Sequence, residues 1–289
     1  MTAITQEPTT LSAIEHHADP TRIRWSKVSA LARKDLLAAR QSRAVLLPML
    51  IVPLLLLVVL PSALGYFAAT QRSTNAEDFV NRLPNGIGSA LAALPPQQRL
   101  VELVLGYMVA PLFLIVPMMV SAALGADSIA GEKERKTFEG LLHQPITDQE
   151  IFIAKIAYAF IPTVAISWGG FALYCIAANL IAFPVLHTLV VPTWHWAVLI
   201  GFVAPAVAAL GVSIMVRVSA RSNTTQDANQ LGGAVIMPII LTVVGQSAAL
   251  LMMPIGAEIF SGVLMWMLAL ALMRRGMSKF DRNRLAARL

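Results

Sequence analysis

Residues 127–155 read DSIAGEKERKTFEGLLHQPITDQEIFIAK, with Asp127, Glu132, Lys133, Glu134, Arg135, Lys136, Glu139, Asp148, Glu150 and Lys155 between two long apolar runs. Lipid is a poor solvent for that many charges, so the stretch is expected in water at a membrane face. Gly131 and the alternating charges Glu132 to Lys136 break the preceding apolar helix. Thr137 then N-caps a short apolar turn, Phe138 to Leu142, and Pro145 stops it. Thr147, Asp148, Gln149 and Glu150 form a capping box ahead of Ile151, Phe152 and Ile153, where the next membrane helix begins. A membrane helix, a charged break, a short surface helix, a proline turn and a capped return helix make a rigid protrusion suited to receiving force from a partner.

The rest of the chain sets the class. Of 289 residues 57% are hydrophobic and 13% charged, and mean hydropathy is +0.68, which excludes an ordinary soluble domain. Ala44 to Leu64 contains no charge and as a helix spans roughly 30 Å, the thickness of a hydrocarbon core. Five further apolar runs follow, giving six expected spans at 44–64, 103–126, 151–183, 194–216, 231–250 and 255–273. The first carries Pro48, Pro53 and Pro61 and is expected to bend; the third exceeds what a bilayer requires and is expected to tilt, kink at Pro162 or protrude. Trp194 and Trp196 mark an aromatic belt at the start of the fourth.

Residues 1–21 are polar, without the apolar core of a signal peptide, and are expected to form a disordered tail. From 22 to 43, Trp25, Val28, Ala32, Leu36 and Ala39 fall on one helical face while Arg22, Lys27, Arg33, Lys34 and Arg40 lie off it. This reads as an amphipathic interfacial helix on membrane lipid, or more plainly as a basic juxtamembrane segment. Residues 65–101 form the longest polar interval, an outer cap in which Phe79 to Leu94 could hold short helices.

Net charge is +6, yet the cations sit beside the spans, which argues against nucleic acid. Seven Lys or Arg fall in 22–43, four in 133–155, two in 217–221 and six in 274–288, leaving Arg72, Arg82 and Arg99 on the other side. The positive-inside rule therefore puts both termini and 127–150 in the cytoplasm, and makes 274–289 a basic cytoplasmic tail. The one cysteine, Cys175, lies in an apolar run.

No ionisable residue occupies the middle of any expected span; Lys155, His195 and Glu258 are near ends. Ion-coupled carriers generally need such groups, so energy is expected to enter elsewhere. The sequence has no GxxxxGK[ST] phosphate loop, no HExxH and no GxSxG, and its five histidines show no ligand spacing. Methionines such as Met118, Met119 and Met215 could line a path for apolar substrates, though methionine is more often core filler.

The string AGEKERKTFEGLLHQPIT, followed by an acidic residue, Ile and Lys155, resembles the signature loop of the permease subunits of ABC-2 type exporters, and is closest to the sodium-efflux and multidrug-like branch. SARSNTTQDANQ at 219–230 resembles a second, shorter pattern of those permeases, and Lys279 to Arg282 their closing pattern. The resemblance implies an all-α integral membrane fold of six transmembrane helices with an N-terminal interfacial helix, in the plasma membrane. It implies a coupling site made of Gly131, Glu132, Lys133, Glu134, Arg135, Thr137, Phe138, Glu139, Leu141, Leu142 and Pro145, docking on a separate ATPase subunit that carries the ATP and Mg, with no cofactor in this chain. A second permease copy and a re-entrant element before the sixth span are also implied, although only 251–254 separate the last two runs. An ion-coupled carrier or channel, or a non-transporting scaffold, stays open as an alternative.

Overall fold

A computed structural model describes residues 23–41, 43–70, 94–138, 140, 144–250 and 254–280, and these are almost entirely helical. Helix α1 is Trp25–Gln41. α2 comprises Arg43–Leu54, Leu55–Val59 and Leu60–Thr70, and α3 runs from Pro96–Leu103 through Val104–Met108, Ala110–Ala126 and Asp127–Gly131 to Glu132–Glu134. α4 is Asp148–Leu186. α5 comprises Trp194–Val198, Leu199–Val203 and Ala204–Arg221, α6 is Thr225–Leu250 and α7 is Ile255–Lys279. Among the described residues α2, α3, α4, α5 and α7 are long and apolar enough to cross a membrane, so five helices qualify where six spans are expected.

Several boundaries shift from those expected. Residues 65–70 and 96–101 belong to α2 and α3 rather than to an outer loop, and Arg274–Lys279 continues α7 instead of starting a tail. α4 keeps Pro162 and Pro184 inside one unbroken helix, about 58 Å long at 1.5 Å per residue. Only residues 222–224 separate α5 from α6, because Thr224 caps α6 through Asp227 N at 3.1 Å. The expected tail 1–21, the elements within Phe79 to Leu94 short of Leu94, and the 251–253 connection lie outside the described residues.

Burial divides the bundle. In the most apolar windows of α3 and α5, 61% and 78% of residues are buried, against 17% in α2, α4 and α7, so α3 and α5 form the centre and the others face outward. The central pair packs closely through glycine: a Cβ on Gly125 would lie 2.5 Å from Met215 Cβ, and one on Gly211 would lie 2.8 Å from Met118 Sδ.

Prolines wind three of the helical turns wide. A proline removes an i→i−4 bond, and five-residue π turns lie just before Pro61, Pro111 and Pro205. The carbonyls loosened there find donors on neighbouring helices, as an apolar surrounding demands. Trp196 Nε1 donates to Gly106 O at 3.0 Å and Tyr174 OH to Leu105 O. Trp168 Nε1 reaches Ile200 O at 3.0 Å and Trp266 Nε1 reaches Phe202 O at 3.3 Å. Trp196 is therefore not a belt residue: it is buried and stacks with Phe171 at 5.5 Å, next to Phe113 and Tyr174, whereas Trp194 is exposed.

Candidate coupling site

The expected break comes within the charged run, after Glu134, and not at Gly131. α3 continues to Glu134, and the chain reverses at Lys136, whose φ of 56° is left-handed. Gly131 serves close approach instead: a Cβ there would run into Asp127 and sit 3.0 Å from Arg135 Nη2, the two ends of an ion pair that folds over the backbone.

A fourth π turn, Asp127–Gly131, precedes this extension without any proline. Its cause is a side chain from α5. The buried Ser219 hydroxyl donates to Ala126 O at 2.6 Å and accepts from Ala130 N at 2.8 Å and Ile129 N at 3.1 Å. Ala130 N and Ala126 O are the pair an α-helix would join directly, so the hydroxyl is inserted into the ladder and widens it.

The charges beyond this turn are not solvated as expected. Asp35, Asp127, Glu132, Lys133, Glu150 and Lys155 are all buried, which is tolerable only because each is paired with a neighbouring side chain or with backbone. Lys155 Nζ lies 2.7 Å from Asp35 Oδ2 and 2.8 Å from Glu132 Oε2. The second contact is an ion pair without hydrogen-bond alignment, so Glu132 Oε2 has no hydrogen-bond partner. Lys34 closes the set at 3.2 Å from Glu132 and 3.3 Å from Asp35. Burial pulls the Lys34 ammonium down, but the fields of Asp35 and Glu132 and its bonds to them outweigh that and raise it. Arg135 pairs with Asp127 at 2.9 Å, and the hydrogen bond to Asp127 holds its guanidinium above the usual value. Tyr158 OH donates to the other Asp127 oxygen at 3.2 Å. A cavity of about 310 Å³ lies among these groups.

The remaining charges tie α3 to the α5–α6 corner. Lys133 Nζ donates to Ala220 O at 3.0 Å and Ser222 O at 3.1 Å, while Glu134 accepts from Thr225 N at 3.1 Å and Thr225 Oγ1 at 2.6 Å. The pattern at 219–230 thus packs against the charged extension.

On the return side the capping box is formed. Glu150 N donates to Thr147 Oγ1 at 3.3 Å and Thr147 N to Glu150 Oε2 at 2.9 Å. Glu150 also takes Arg24 N at 2.8 Å and Arg24 Nε at 3.0 Å, which raises the Arg24 guanidinium, and Lys27 Nζ meets Pro145 O at 2.6 Å. α1 therefore clamps the proline turn at one end and the ion network at the other. Val28 and Leu31 are buried, Leu36 is half-buried, and Trp25, Arg33 and Lys34 are exposed.

The structure brings Glu132, Lys133, Glu134, Arg135 and Pro145 into one bonded junction. Phe138 is buried in the protein's own core, so it is not an apolar knob offered outward. Glu139, Leu141 and Leu142 lie outside the described residues; among the described ones Glu134, Arg135, Lys136, Thr137, Gly140 and Pro145 are exposed. Asp35, Ser219 and Tyr158 belong to the junction and were not singled out from sequence. Asp35 did leave a trace, as the lone acid in a basic amphipathic helix. At the opposite end, sequence spacing also missed His195 Nδ1, 2.6 Å from the buried Glu258.

A bundle of apolar helices crossing a membrane, with a charged and bonded extension at one end, defines a multi-pass membrane protein. Residues 29–277 match the family profile described as ABC-2 family transporter protein, so this chain belongs to that family, whose members are membrane permease components without an ATPase site of their own. No curated protein is similar enough in sequence to match.

Proposed function

We propose that this chain is the permease subunit of an ATP-driven exporter of the plasma membrane, of the sodium-efflux or multidrug-like branch, working as a pair with a second permease copy. In this reading α6 supplies a sixth span, both termini are cytoplasmic, α1 lies on the inner leaflet, and an ABC ATPase subunit carrying ATP and Mg docks at the α3 extension. The observation that supports it most is the junction of Lys155, Asp35, Glu132 and Lys34, which joins α1, α3 and α4. Together with Lys133 and Glu134 on the α5–α6 corner, it means that a push on Arg135, Lys136 or Thr137 moves five helices together. Force delivered to a solvated loop would dissipate; delivered to a paired, buried junction it displaces the bundle.

The test is ATP hydrolysis by the permease and its ATPase reconstituted in vesicles, comparing wild type with Lys155→Met. Coupling through the junction predicts assembly of both complexes but permease-stimulated hydrolysis only in wild type. Equal stimulation in both would remove the junction from the mechanism, and transport that runs on an ion gradient without nucleotide would favour an ion-coupled carrier.

A further inference from the structure

A groove of about 590 Å³ opens where α1 crosses α4. It is hollow because the facing positions are small, Ser29 and Ala32 on α1 and Ala157 on α4, and its walls are Leu36, Ile161 and Pro162. Trp25 and Arg33 stand at the rim, and Trp25 and Ile161 are 67% and 58% exposed, so apolar surface is left facing outward beside a membrane helix.

The height of the groove follows from α4. Its exposed large apolar side chains run from Ile161 through Trp168, Leu173, Ile176 and Leu180 to Phe183, a length of about 33 Å, which matches a hydrocarbon core. Ile161 is the last of these toward α1, so the groove lies at the edge of the hydrocarbon and α1 lies at the level of the headgroups. The charges on α1 and at Arg24 just before it are divided accordingly. Arg24, Lys27 and Lys34 are spent on Glu150, Pro145 O, Asp35 and Glu132. Among the described residues Arg33, on the groove side, has no ion-pair or hydrogen-bond partner, and neither does the Trp25 indole nitrogen.

We propose that this groove binds one anionic phospholipid from the leaflet α1 faces, with an acyl chain against Leu36, Ile161 and Pro162 and the phosphate on Arg33, where Ser26 and the Trp25 indole add donors. An unpaired guanidinium over an apolar slot is complementary to a phosphodiester above a hydrocarbon chain. A zwitterionic headgroup would bring an ammonium beside Arg33 and bind less well. The lipid would fill the gap between α1 and α4 and so hold α1 in its clamp.

The test is native mass spectrometry of the full chain in detergent, titrated with phosphatidylglycerol or phosphatidylcholine. Wild type is expected to retain one phosphatidylglycerol per chain in preference to phosphatidylcholine. Arg33→Gln should lower that preference roughly tenfold, the cost of one charged hydrogen bond. Arg40→Gln, an exposed cation of α1 outside the groove, should leave it unchanged. Ser29→Trp fills the hollow and should abolish retention. Equal retention of the two lipids, an equal effect of Arg33→Gln and Arg40→Gln, or unaltered retention in Ser29→Trp would overturn the proposal. If Ser29→Trp does not fold, the comparison of the two arginine variants decides alone.

Discussion

Ser219→Ala removes the hydroxyl that holds the ladder of α3 open. Two outcomes are available to the chain. If the π turn persists, Ala130 N and Ile129 N lose a buried acceptor; each orphaned donor costs about 1–3 kcal/mol, so the loss is about 2–4 kcal/mol after partial relaxation. If the turn closes instead, Ala130 N bonds Ala126 O directly, but one residue then leaves the wide turn. Everything beyond it rotates by roughly 100° and shifts by about 1.5 Å. Glu132, now 2.8 Å from Lys155, would swing off that partner, and Lys133 would leave the carbonyls of Ala220 and Ser222. Either way the junction weakens while the membrane helices remain. Equilibrium unfolding in mixed micelles should show the loss in stability, and permease-stimulated ATP hydrolysis by the reconstituted complex should fall. A variant as stable and as well coupled as wild type would refute the view that the inserted hydroxyl sets the register of the extension.

Lys155→Met removes the buried cation of Asp35 and Glu132 and leaves them only the exposed Lys34, which should cost about 3–5 kcal/mol in the same unfolding assay; adding Asp35→Asn and Glu132→Gln should recover most of it. Gly211→Leu drives a side chain into Met118 and Ser121 at the α3–α5 contact and should destabilise by about 1–3 kcal/mol or more, seen as a lower unfolding temperature. His195→Ala strips the fully buried Glu258 of its partner and should cost about 1–3 kcal/mol, with Glu258→Gln in the same background restoring part of the loss.

Local signals were legible in the sequence. The capping box from Thr147 to Glu150 works over three residues, and the prolines at 61, 111 and 205 each follow a widened turn, although Pro162 and Pro184 stay within regular helix. Asp35 and Lys155, by contrast, are 120 positions apart, and neither α1 nor α4 alone says that they meet. Alternating charges such as Glu132 to Lys136 look the same whether water or a neighbouring helix solvates them; only packing decides. The expected break at Gly131 had the same origin, since a glycine that stops a helix and one that lets an ion pair cross the backbone are identical letters. Ser219 lay within a noticed pattern, but its role depends on a ladder in another helix.

The central claim is that a nucleotide hydrolase engages the α3 extension. A photocrosslinking amino acid at Lys136, exposed at the tip, tests it in cells, with exposed Leu189 at the opposite end as the control. The account predicts an adduct from position 136 whose partner carries a phosphate-binding loop, and none with such a partner from 189. An ATPase adduct from 189, or no ATPase adduct from 136, would contradict it.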